Sequence, residues 1–184
     1  MSRFPVSLRG VLVALLATAL GAGGVAVTWV FIGPTGFAFA WITHFLLMGW
    51  ISAIITPQVR IPHYGWLRVR RREVQLYRAL GVRLFGRLLD AIGWNRLIAK
   101  ERGFDGTREG LKDFDQHTRR SEISHIICLL ITITLSLAVL ATGSWAGAIW
   151  LTALGIPLHL YPALLQRLIQ ARIQPVRRAI SEPK

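Results

Sequence analysis

Two stretches without a single formal charge constrain this chain more than anything else in it. Residues 10–59, between Arg9 and Arg60, carry no Asp, Glu, Lys or Arg over 50 positions, and residues 123–166, between Glu122 and Arg167, carry none over 44. A bilayer crossing needs about 20 apolar residues, so each run has room for two. The charge is concentrated elsewhere: 22 Lys+Arg against 9 Asp+Glu give the 184 residues a formal net charge of +13, although 53% of them are hydrophobic. Soluble domains do not combine such a charge with a mean hydropathy of +0.46; segregation into spans and basic segments does. That excludes a soluble enzyme, a coiled coil, a disordered tail and a disulfide-stapled secreted domain. Cys128 has no second cysteine to pair with and says nothing about redox compartment.

Each run reads as a helical hairpin. In the first, Leu8 to Ile32 and Phe37 to Thr56 flank Gly33-Pro34-Thr35-Gly36, where a proline between two glycines ends a helix and reverses the chain. In the second, His125 to Ala141 and Trp145 to Leu165 flank Thr142-Gly143-Ser144. Backbone groups in hydrocarbon must be satisfied within the segment, which makes these spans helices. The expected fold is an all-α integral membrane protein with two transmembrane hairpins, four spans in all. A basic, partly helical cytoplasmic segment joins them, and the parts are residues 1–59, 60–122, 123–166 and 167–184.

Charge asymmetry gives the orientation. Two of the Lys+Arg residues lie at the N-terminus, 15 from Arg60 to Arg120 and 5 from Arg167 onward, with none in either short turn. The positive-inside rule then puts both termini and the middle segment in the cytoplasm of a multi-pass inner-membrane protein. A cleaved secretory signal is the competing reading of residues 1–24, but the apolar stretch continues through Val25, Val27, Trp29 and Phe31. The basic segments have a plain role against anionic headgroups, and no nucleic-acid recognition motif accompanies them.

The middle segment is too short for a substantial core of its own and is expected to lie on the membrane. Val74, Tyr77, Leu80, Leu84 and Leu88 recur with helical spacing opposite arginines, while Gly81 and Gly86 weaken the helix and threaten to split it. Lys100 to Gln116, with mixed charges and three glycines, reads as a solvated loop.

Polar side chains near the spans are the informative ones, because each costs free energy there without a partner or water. Glu122 and His125 are neighbours on one helical face, and a carboxylate beside an imidazole is how a general base is usually oriented. The same stretch also reads as an ordinary helix start, with Thr118 as cap. His159 lies two turns before Arg167 and shares a face with Pro162 and Gln166; Pro162 frees a backbone carbonyl near Leu158. Arg167 and Arg172 carry the last helix into the headgroups, and as snorkelling residues they need no function. Glu73, Tyr77 and Arg78 are spaced for surface packing on a helix. His44, mid-span, reads as a histidine bonded to a carbonyl or as part of a proton path. The serine-hydrolase, phosphate-loop and zinc-protease signatures are missing, and no metal or cofactor is expected.

Three elements of the chain, in order, resemble the glycosyl-4,4'-diaponeurosporenoate acyltransferase family: Glu73…Tyr77-Arg78…Gly81-Val82, then Thr118-Arg119-Arg120-Ser121-Glu122-Ile123 followed by His125, then Tyr161-Pro162…Gln166-Arg167…Arg172. The resemblance runs from about Glu73 to Arg172. It implies a small integral membrane enzyme that esterifies a sugar hydroxyl of a glycosylated carotenoid with a fatty acyl chain. The chain departs from the family pattern at His159, where an asparagine is frequent, at Gln170, where an arginine is expected, and at Phe85-Gly86, which replaces Trp-Lys. On this resemblance His125 would take the proton from an acceptor hydroxyl, with Glu122 orienting the ring. Arg119, Arg120, Arg167 and Arg172 would hold the anionic part of an acyl-CoA or acyl-carrier-protein donor. His159 and Gln166 would line the site of a lipid or glycolipid acceptor or donate to the oxyanion, and Glu73, Tyr77, Arg78 and Tyr161 would help bind substrate. Two other readings stand beside it: a non-catalytic membrane subunit that holds a partner through residues 60–122, and a proton-coupled carrier using His44 and His159.

Overall fold

A computed structural model describes residues 8–55, 59–62, 68–98 and 105–181, with side chains up to residue 176. Among the described residues there are helices and turns and no strand. The helices are α1 (Leu8–Phe31), α2 (Phe37–Ile54), α3 (Arg71–Ala79), α4 (Val82–Ala91), α5 (Trp94–Leu97), α6 (Arg108–Ala141), α7 (Trp145–Gly155) and α8 (Tyr161–Ser181); a π-helical turn, Ile156–Leu160, joins the last two. Four helical stretches, Leu8–Phe31, Phe37–Ile54, Arg108–Ala141 and Trp145–Val176, are long and apolar enough to cross a membrane. This is an all-helical membrane protein.

The chain forms two compact units, one of Met1–Gln58 with Ile127–Leu158 and one of Val59–Ile126 with His159–Lys184. In the first, α1 packs on α2 and α2 on α7. Phe39, Ala40, Val139 and Leu151 form a buried cluster, with Trp29 meeting Phe39 edge to face at 5.6 Å. Large apolar side chains cover the outside of α1, from Leu8 to Phe31, as expected of a helix whose solvent is lipid. His44 is fully buried, and its Nε2 lies 3.0 Å from the carbonyl of Leu151. That fits the first of its two sequence readings, a tie between α2 and α7. Gly147 opens α7 beside the first hairpin turn: a Cβ there would overlap the Pro34 carbonyl oxygen. Only glycine permits that approach.

In the second unit, Val69, Tyr77, Val82 and Leu168 form the buried cluster, so the middle segment builds its core against α8 rather than alone. Gly81, at φ +75, ends α3 in the left-handed region and divides the expected amphipathic stretch there; Gly86 stays helical. The apolar stripe divides too. Val74 and Tyr77 turn to the core, whereas Leu80, Leu84 and Leu88 are exposed. An exposed leucine face opposite arginines is what an interfacial helix presents to acyl chains.

Two expectations fail here for local reasons. Part of the loop expected over Lys100 to Gln116 lies outside the described residues, but from Arg108 onward the chain is helix. The Thr107 hydroxyl accepts from the Gly110 N–H at 3.0 Å and caps α6, and Asp105 in turn accepts from the Thr107 N–H and hydroxyl. Thr118, read as a cap, lies well inside α6 and donates back to the Phe114 carbonyl at 2.7 Å. Near Leu158, Pro157 and Pro162 each remove an N–H from the ladder, and the wider π turn makes room for the Pro162 ring.

Candidate functional site

Arg167, on α8, bonds to three side chains of the second unit. Its Nη1 donates to Glu122 Oε1 at 2.6 Å, its Nη2 to Glu73 Oε2 at 2.6 Å and its Nε to the Tyr77 hydroxyl at 2.9 Å. Tyr77 in turn donates to Glu73 Oε2 at 2.8 Å, and Gln170 Nε2 donates to Glu122 Oε2 at 2.5 Å. Three helices are tied by one guanidinium fork, a geometry for which Lys has no equivalent. Glu122 and Gln170 are wholly buried; the Arg167 side chain is 14% exposed. Charges this far from water need the bonds they have.

Glu73 is placed by the start of α3. As the third residue of the helix it reaches back to accept from the Arg70 backbone N–H at 3.2 Å, leaving Oε2 for Arg167 and Tyr77. Partial burial pushes its pKa up, but the bonds from Arg167, Tyr77 and the Arg70 backbone outweigh it and hold the carboxyl below its ordinary value. Tyr77 goes the other way: burial, and then its bond to the Glu73 carboxylate, raise the phenol. The cage therefore places one guanidinium between two carboxyl groups.

His125 lies one turn beyond Glu122 on α6, half-buried. Its ring centroid is 5.9 Å from that of His159, at an interplanar angle of 44°. His159 is completely buried on the π turn. π turns are frequent at functional sites, because the extra residue re-aims side chains that a regular helix would face elsewhere. Gln166, buried at 8% exposure, follows on α8. Two imidazoles beside a water-poor carboxylate cage can take, hold and return a proton.

Several residues sit differently from their sequence reading. Glu122, read beside His125 on one helical face, also accepts from Arg167 and Gln170 and so ties α6 to α8. Arg167, expected to face a donor phosphate, has every nitrogen engaged. Arg119 is buried at 3% exposure with its Nε 3.1 Å from Asp115 Oδ2, and Arg120 makes a long 3.4 Å contact to the Val59 carbonyl. Tyr161 donates to the Leu80 carbonyl at 2.9 Å, closing the end of α3. Arg78 and Arg172 are exposed, Arg172 facing a concavity against α4. Glu73 and Tyr77, which spacing assigned to surface packing, belong to the cage. Gln170 was noted in the sequence only as a departure from the family pattern; its short bond to Glu122 makes it a cage member. Among the described residues no group of His, Cys, Asp or Glu is arranged to hold a metal.

An all-helical membrane protein with an ion cage and a histidine pair in its polar unit is the class these observations define. The chain belongs to the glycosyl-4,4'-diaponeurosporenoate acyltransferase (CrtO) family, whose model matches residues 62–179, well over half of its length. That range contains every residue of the cage and both histidines. Acyl transfer in general is the activity that membership supports. No curated protein and no solved structure matches the chain significantly.

Proposed function

We propose that this protein moves a fatty acyl group from a thioester donor to a hydroxyl of a lipid-like acceptor at the cytoplasmic face of the membrane, with His125 as the general base. The observation that carries the reading is the pairing of His125 with buried His159 beside the Glu73–Tyr77–Glu122–Arg167–Gln170 cage, inside the stretch matched by an acyltransferase family. In the reaction His125 takes the acceptor's hydroxyl proton as the oxygen attacks the thioester carbonyl. The tetrahedral intermediate then collapses, the carbon–sulfur bond breaks, and the imidazolium returns the proton to the departing thiolate. His159 and Gln166 are near enough in the chain to steady the oxyanion or the acceptor. A positioned base of this kind contributes about a hundred- to ten-thousand-fold in rate.

The cage's polar groups suit an acceptor rich in hydroxyl donors, as a glycosylated lipid is. Gln170 Oε1, buried and without a hydrogen-bond partner among the described residues, is one acceptor for such a group. The exposed leucines of α3 and α4 suit entry of acyl chains sideways from the bilayer.

The test is a mass-spectrometric comparison of lipid extracts from cells with the gene, without it, and with His125→Ala. A saponifiable species lost in the deletion and in His125→Ala, at unchanged protein level, supports the reading. Its persistence in both sinks it. A partner-holding subunit would instead tolerate His125→Ala and fail on deletion within residues 60–122.

A further inference from the structure

Arg167 and Arg119 are both bonded to carboxylates. α8 carries a second arginine with a different outlook. Arg172 is five residues beyond Arg167, which turns it about 140° around the helix, away from the cage. There it faces a concavity of about 640 Å³ together with Arg83 and Arg87, one turn apart on α4. Asp90 is the acid at this rim, and its carboxylate accepts a hydrogen bond from Asn95. Among the described residues, three guanidiniums against one carboxylate leave the pocket with an excess of two positive charges. Like charges gathered around one hollow repel each other, and an anion of charge two relieves that repulsion.

The floor of the pocket is apolar. Leu165, Leu168 and Ile169 of α8 and Phe114 of α6 line it, and Gly86 lets α4 approach Leu165 closely enough that a Cβ would stand 3.4 Å from its Cδ1. Arginine forks above aliphatic side chains suit a ligand with phosphate oxygens on an organic body, and an inorganic ion would leave the floor unused.

We propose that Arg83, Arg87 and Arg172 form a phosphate-binding pocket between α4 and α8 that takes an organic phosphate. Its donor assignment rests on the acyl-transfer reading above: the phosphates of a thioester donor sit here, and the cage stays with the acceptor. An anionic phospholipid headgroup offers the same chemistry, and the experiment separates the two sources.

Full-length protein in nonionic detergent is titrated with coenzyme A by calorimetry, and phosphatidylglycerol retained on the protein is counted by native mass spectrometry. The double substitution Arg83→Gln/Arg87→Gln is compared with Arg108→Gln/Lys112→Gln, which removes equal charge from exposed positions elsewhere. Each charge-assisted bond lost weakens binding about tenfold or more, so the first variant loses coenzyme A and the control does not. Loss of retained phosphatidylglycerol with coenzyme A affinity unchanged also supports the pocket, and assigns the phosphate to a lipid. The proposal is overturned when both readouts match wild type in the Arg83/Arg87 variant, or when wild type binds neither probe. Should the double variant fail to fold, Arg172→Gln, at an exposed site on α8, is read by the same two measurements and decides between the same outcomes. Binding is read without turnover, so a protein that holds coenzyme A through these arginines yet makes no ester contradicts the acyl-transfer reading and leaves the pocket standing.

Discussion

Arg167 donates through all three of its nitrogens, and the partner it leaves most exposed to loss is Glu122, which has no contact with water. Arg167→Ala strands that carboxylate, and breaking a buried pair from one side costs about 3–5 kcal/mol. The drop should appear as a lower unfolding midpoint in detergent. Arg167→Lys keeps the charge but lacks the fork, and should recover only part of it. His125→Ala carries the opposite signature: a fall in turnover of about a hundred- to ten-thousand-fold with the midpoint nearly unchanged. At this scale the sequence showed which residue types were unusual, and the family resemblance gathered most of them. It did not show their partners. Glu122 and His125 are neighbours by spacing, but the bonds found on Glu122 go to Arg167, 45 positions away, and to Gln170, 48 away. Local periodicity carries no information about such pairs.

Helices and their joints give a second kind of test. Gly147→Ala pushes a methyl group into the Pro34 carbonyl, so α7 must shift from the first hairpin turn; overpacking of this kind costs about 1–3 kcal/mol. Gly24→Ala meets only the flexible end of Leu46, at 2.9 Å, and should lower the thermal midpoint much less. Both hairpins and their turns were legible, because Gly33 and Gly143, which adopt positive φ, interrupt long apolar runs. The beginning of α6 was not. Residues 108–117 look like a charged loop by composition, and what makes them helical is the small Asp105–Thr107 cap together with Gln116, whose side-chain amide pairs both ways with the Ile61 backbone at 2.9 and 3.1 Å. The π turn was visible only as a freed carbonyl near Leu158. Whether the ladder answers with a kink or an added residue depends on what surrounds it.

For the molecule as a whole, the interleaving of the chain into two units is what sequence order hides. Residues 159–184 fold with 59–126 because Leu168 belongs with Val69, Tyr77 and Val82, a contact of long sequence separation. One consequence is a stability profile set by the cage. Glu73 sits below its ordinary pKa, so its contribution is complete above the usual carboxylate value of about 4.3 and fades as pH falls through the lower, folded value. Tyr77 sits above its ordinary value, so the unfolded chain ionises first and stability declines as pH rises past about 10. Glu73→Gln should therefore blunt the acid limb of thermal unfolding. An activity limb between about pH 5 and 8 falls where imidazoles ordinarily titrate.

The most direct test is in vitro. Purified protein in lipid nanodiscs containing the host's own lipids is given radiolabelled palmitoyl-CoA, and label in alkali-labile neutral lipid is counted against His125→Ala of matched unfolding midpoint. The account predicts ester formation by wild type and its near-complete loss in the variant. Equal label in both, or none from folded wild type with either a CoA or a carrier-protein donor, contradicts it.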